Sequence, residues 1–352
     1  MRFLTTSGFA ILASAALAGC GMPGGSAQDS RDFVRAVGSS TVYPFATAVA
    51  EHIANNGNRS PVIESTGTGA GMKLFCGGVG AAHPDVENAS RRMKATEYQD
   101  CINNGVTEIV EIQVGIDGIA FAEAKAGPGM ALTPEDIYKA LAAKPFGKAN
   151  TTRLWSDVNP ALPAIPILVY GPPTTSGTRD ALEELILEKG CKSKSGMIEL
   201  QVTNPDGFDQ ICHGIREDGA YVDAGENDNL IVQKIAQNPK AIGVFGFSFL
   251  EENMDRLKGV PMSGVQPTYE SISDFTYPGA RPLYIYVKKA HLNAIKSLGD
   301  YVTEWTKAWG PDGYLKEKGM VIAPDDVRER NAKIAENMTV LDPQQLDPLL
   351  LQ

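Results

Sequence analysis

The chain has 352 residues and a formal net charge of −10, so it lacks the basic footprint a nucleic-acid partner needs. That balance does not exclude a small anion, which responds to local donors rather than to total charge. The length exceeds one typical core and predicts two lobes, and no segment past the N-terminus is long and apolar enough to cross a bilayer.

Met1-Arg2 gives a short positive start, and Phe9 to Ala18 forms an apolar run too short to span a membrane comfortably. Leu17-Ala18-Gly19-Cys20 follows and resembles the lipobox of bacterial lipoproteins. The resemblance implies a signal peptide over 1–19, cleavage before Cys20, lipid on Cys20 and a flexible tether over 20–31. Export places the remaining four of the five cysteines in an oxidising compartment. Three pairings are open. The simplest joins Cys76 to Cys101 and Cys191 to Cys212, each closing a loop of roughly 20–25 residues worth about 3 kcal/mol. A zinc site is the weaker alternative, since there is no C-x-x-C pair and the chain has only four histidines.

In chain order, Phe33 to Val37 predicts a strand, followed by Gly38-Ser39-Ser40-Thr41 and a helix over Tyr43 to Ile53 with Pro44 in its first turn. Val62 to Ser65 is a second strand, entering Thr66-Gly67-Thr68-Gly69-Ala70-Gly71 and a helix from Met72 to Phe75. Ile109 to Val114 and Ile119 to Ala122 predict strands on either side of Gly115-Ile116-Asp117-Gly118. Thr133 caps a helix reaching Ala143. Ile165 to Tyr170 is a strand that leads through Thr174-Thr175-Ser176-Gly177-Thr178 into a helix from Arg179 to Glu188. Asn229 to Ala236 and Ala294 to Trp309 predict helices, and Ile242 to Phe247 and Leu283 to Val287 strands. This alternation implies an α/β fold with mostly parallel sheets. The Pro-containing end, 341–352, reads as a loose tail.

Three of these loops share one plan: strand, then Gly, Ser and Thr, then helix. A helix start carries unpaired N–H groups and partial positive charge, Gly admits close approach, and hydroxyls add donors. One such loop is ordinary capping. Three at the carboxyl ends of strands point to a cradle for an oxyanion. Gly67 to Lys73 lacks the ending of a phosphate-binding nucleotide loop, so nucleotide hydrolysis is not supported.

Gly38-Ser39-Ser40-Thr41-Val42-Tyr43-Pro44-Phe45, Ser65-Thr66-Gly67-Thr68-Gly69-Ala70-Gly71, Asn88-Ala89-Ser90-Arg91, Gly115 to Ala120, Thr175 to Asp180 and Ala241 to Phe247 together resemble the landmarks of the PstS family. The resemblance runs in order from about Arg35 to Tyr286. It implies a two-lobed periplasmic binding protein of type II-like fold that closes on phosphate. It places Thr41, the Val42 amide and Thr68 on one side of the anion and Ser176, Gly177 and Thr178 on the other, with Ser40 as a further donor. One family branch has an Asp where this chain has Arg91. Arg91 is therefore expected to grip two oxygens in a fork, and Asp117, in its Gly-flanked turn, becomes the candidate acceptor of the phosphate proton. Arg92 is expected to face solvent or pair with an acid, and Arg179 to pair with Asp180 or Glu183.

The resulting expectation is the phosphate-capturing subunit of an ABC importer: a monomer, working in the periplasm beside the permease subunits, held by its lipid, with no metal or cofactor and no catalysis. A binding protein for sulfate, molybdate or tungstate is the alternative. A phosphoester hydrolase lacks support, because the chain has no H-E-x-x-H, no G-x-S-x-G and no dense Asp/His pattern. The expected first lobe takes 32–115 and 283–340, and the second takes 116–282, with two hinge crossings between them.

Overall fold

The computed structural model describes residues 31–174, 176–225 and 228–346. The lipid on Cys20, the signal peptide 1–19, residues 20–30 of the tether and residues 347–352 of the tail lie outside the described residues. The strands are β1 (Arg35–Gly38), β2 (Val62–Ser65), β3 (Val86–Ala89), β4 (Ile109–Ala124), β5 (Val169–Gly171), β6 (Tyr221–Asp223), β7 (Ile242–Gly246), β8 (Leu257–Gly259) and β9 (Ala280–Lys288). They join in the order β2-β1-β3-β9-β4-β7-β5-β6, with β8 on β4.

The expected predominance of parallel pairing needs correction, because the sheet is mixed. β1 pairs in parallel with β2 and β3, and β5 with β6 and β7. The contacts of β9 with β3 and β4, and of β4 with β7 and β8, are antiparallel. The cause is the crossing. A chain that leaves one lobe along β4 returns along β9, and the two strands lie side by side in opposite directions. The two short strands expected over 109–114 and 119–122 are one strand, bent where its register shifts between Gln113 and Gly115.

Three apolar clusters follow from this path. Val110 and Ile112 of β4 and Ile285 of β9 pack with Phe45, Val49 and Trp305 in the first lobe. Ile119 and Phe121, farther along β4, pack with Trp155, Leu182 and Phe245 in the second. On the other face of the first lobe's sheet, Phe75, Met93 and Tyr286 surround Cys76 and Cys101. Both crossing strands thus feed two cores, which is the two-lobed α/β fold with two crossings that the sequence predicts. A third segment ties the lobes. Ile116 and Val321 exchange both backbone hydrogen bonds, at 2.9 and 3.0 Å. Met320 packs in the first core, while Val321 and Ala323 pack in the second.

Disulfides join Cys76 to Cys101 and Cys191 to Cys212, the simplest of the pairings. The beginning of the expected loose tail is packed instead. The Leu341 amide donates to the Ile109 carbonyl at 2.8 Å, and Leu341 and Leu346 are buried. Their apolar side chains complete the cluster around the first disulfide.

Candidate functional site

The first loop is built at the end of β1. Gly38 has φ +127° and lies against the Asn88 carbonyl, where a Cβ would come within 2.2 Å, so only glycine fits there. Its carbonyl accepts from the Thr66 and Gly67 amides at 2.8 and 2.9 Å, which binds the second loop to the first. Helix α1 (Tyr43–Asn55) and helix α2 (Thr68–Phe75) start from these two loops. Within the first, Ser39 Oγ accepts from the Thr41 amide at 3.1 Å and the Val42 amide at 3.4 Å. Thr68 Oγ1 lies 3.1 Å from Ser90 Oγ and accepts from the Ser90 amide.

The third loop comes from the second lobe. Ser176 caps a helix that runs over 177–191, its hydroxyl accepting from the Thr178 amide at 3.2 Å. This helix start meets the first loop directly. A Cβ on Gly177 would lie 2.5 Å from the Cα and N atoms of Thr41. Thr41 Oγ1 donates to the Gly177 carbonyl at 3.1 Å, and Ser40 Oγ donates to Asp180. The structure therefore brings Ser40, Thr41, Val42, Ser176, Gly177 and Thr178 to one joint between the lobes, with Thr68 on the neighbouring loop.

The cation at this joint is one that sequence reading missed. Arg281 of β9 is 4% exposed. It donates to Thr41 Oγ1 at 2.7 Å, to Asp117 at 3.2 Å and to Glu184. Asp117 sits opposite it across the β4–β9 pair. Burial raises the pKa of Asp117, and the Arg281 guanidinium opposes that rise. Arg91 is turned elsewhere, onto Glu97 of helix α3 (Ala95–Asn103), with contacts of 2.7 and 2.9 Å. Burial works against its charge, but Glu97, with Glu184 farther off, raises its pKa above the ordinary value. Arg92 pairs with Glu111, and Arg179 pairs with Glu183 while lying over the Tyr221 ring.

A second missed residue lies beneath the cradle. Glu87 of β3 is fully buried, and neither carboxylate oxygen has a hydrogen-bond partner among the described residues. It fills the space that Cβ atoms on Gly38 and Gly71 would take. Burial, and then the neighbouring Glu97, push its pKa well above its ordinary value despite Arg91. The short run Asp85-Val86-Glu87-Asn88-Ala89 reads as polar and gives no sign in the sequence that Glu87 is buried. Among the described residues, no group of three or more His, Cys, Asp or Glu is placed to hold a metal ion.

The model of the PBP superfamily domain matches residues 23–309. The protein SphX of Synechococcus elongatus is 33% identical over 288 residues, which is 79% of this chain and 75% of that protein. The phosphate-binding protein PstS of Staphylococcus saprophyticus is 30% identical over 335 residues, 92% of each. Among solved structures, a possible phosphate binding protein from Planctomyces limnophilus aligns with TM-score 0.69 and 28% identity, over 87% of this chain and 98% of that one. With a superfamily domain over most of its length and a PstS relative matched nearly end to end, the chain belongs to the PstS family of the PBP superfamily.

Proposed function

We propose that this chain is the substrate-binding subunit of an ABC phosphate importer and captures inorganic phosphate between its lobes. One observation carries the reading. A buried guanidinium, Arg281, meets the hydroxyl of Thr41 where the first loop touches the Gly177 helix start. A cation, hydroxyls and helix-start amides drawn from two lobes suit a tetrahedral oxyanion. The names of the PstS relative and the Planctomyces neighbour agree with that ligand.

In this reading Ser40, Thr41, Val42 and Thr68 hold the anion from the first lobe, and Ser176, Gly177 and Thr178 from the second. Arg281 supplies the charge beside Thr41. Arg91 joins by exchanging Glu97 for the anion. Asp117 is the proton acceptor, since its raised pKa favours taking the proton that phosphate carries and sulfate lacks. The first lobe is 32–115 with 283–340, and the second is 116–282. Capture needs no chemistry beyond these donors, so the chain is not an enzyme. Substrate-binding proteins of this family are extracytoplasmic, and among the described residues no helix is long and apolar enough to cross a membrane. We place this chain in the periplasm as a monomer, tethered by lipid on Cys20 and delivering to permease subunits.

The test is calorimetric titration of the chain from residue 21 with phosphate, sulfate and molybdate. Wild type should bind phosphate selectively. Arg281→Gln should weaken phosphate at least about tenfold, the size expected for a charge-assisted contact. Asp117→Asn should narrow the preference for phosphate over sulfate. Stronger binding of sulfate or molybdate by the wild type would replace phosphate with another oxyanion.

A further inference from the structure

The donors at the joint are already engaged, and one stretch of the second lobe engages them. Asp180 and Glu184 are one helical turn apart on the 177–191 helix, so they share a face. Asp180 accepts from Ser40 Oγ, and Glu184 accepts from Arg281. Glu184 also acts electrostatically on Arg91, raising its pKa, and on Asp117. Its side chain is 45% exposed, so it enters the joint from the solvent side and can leave by a rotamer change. The carboxylates thus face the same hydroxyl and the same arginines that an arriving anion would use, beside the Gly177–Thr41 backbone contact.

We propose that Asp180 and Glu184 form a built-in counter-anion, which holds the lobes together in the absence of ligand and sets affinity by competing with it. The ligand's identity in this inference rests on the phosphate-binding reading above. Two oxygens are exchanged for two. When the anion arrives, Ser40 leaves Asp180 and Arg281 leaves Glu184, and the freed carboxylates turn to water. A ligand gains only the difference between its own contacts and those it displaces. The acids therefore lower affinity while favouring a closed state before capture. The opposite arrangement, in which either acid takes the ligand's proton, would make the acid a contributor to binding.

The experiment has two arms on the chain from residue 21, which keeps every described residue. In the first, small-angle scattering without ligand compares wild type with Glu184→Gln and, independently, Asp180→Asn. Both variants should show a larger radius of gyration than wild type, and inorganic phosphate should restore the compact value. In the second, calorimetry should show that Glu184→Gln binds phosphate more tightly, by about fivefold or more. Ligand-free variants as compact as wild type would overturn the inference, as would weaker phosphate binding in Glu184→Gln. Wild type that binds no phosphate would sink the phosphate reading alone, because the ligand-free scattering still decides whether the acids hold the lobes together.

Discussion

Gly177→Ala should separate closure of the lobes from stability of the fold. The added Cβ would stand 2.5 Å from two Thr41 backbone atoms and 2.8 Å from the Ser40 carbonyl carbon. Ordinary contact begins near 3.4 Å, so the loops must part by roughly 1 Å in a region of close packing. All three atoms belong to the backbone, and no side chain can rotate away to relieve the overlap. Parting also stretches the 3.1 Å bond from Thr41 Oγ1 to the Gly177 carbonyl beyond hydrogen-bond range. Overpacking of this kind costs about 1–3 kcal/mol, which is about 5- to 150-fold in affinity. The overlap exists only when the lobes are together. An open protein escapes it. The expected signature is therefore a phosphate affinity weakened at least about fivefold by calorimetry, with a ligand-free radius of gyration larger than that of wild type. Gly299→Ala is the control. That glycine lies in the helix Leu298–Ala308, and an added methyl there would meet nothing within 4 Å, so this variant should gain stability with affinity unchanged. If Gly177→Ala binds phosphate within twofold of wild type, the Gly177–Thr41 contact is not part of closure, and the joint described above is wrong.

Two further predictions concern the frame around the site. Replacing Cys191 and Cys212 with Ser removes the bridge between residues 21 apart and should cost about 3 kcal/mol by loop entropy, read as a lower denaturant midpoint; a loss under about 1 kcal/mol would mean the bridge contributes little. Glu87 should make stability depend on pH. Its folded pKa lies above its unfolded value, so its contribution is whole below the ordinary carboxylate range and is lost as pH rises through the raised folded pKa. Glu87→Gln should therefore gain on wild type as pH increases from 4 to 8 in paired melting curves, and parallel curves would show that burial does not raise the Glu87 pKa.

The two halves of the cradle are legible in sequence because their chemistry is local. Gly38 to Thr41, Gly67 to Thr68 and Ser176 to Thr178 are each a few adjacent residues whose type states what the backbone must do there. The disulfides are legible for a related reason: parity and short separation leave a simple pairing. What joins the halves is not local. Arg281 meets Asp117 across 164 positions and Thr41 across 240, and Ser40 meets Asp180 across 140. Those meetings depend on the register of β9 against β4, and no pattern within either segment encodes that register. The same dependence explains Arg91. Its place after Ser90 makes it a candidate phosphate ligand by resemblance, but Glu97, six positions on, is close enough to occupy it. A charged residue leading into the apolar run of Leu283 to Val287 was the available clue to Arg281. Its force comes only from knowing that this run is a crossing strand, where a buried cation must find partners from both lobes or go unpaired. Arg281 thus lies on the element that connects the lobes, so the group proposed to balance the anion's charge is also placed to register whether they are closed.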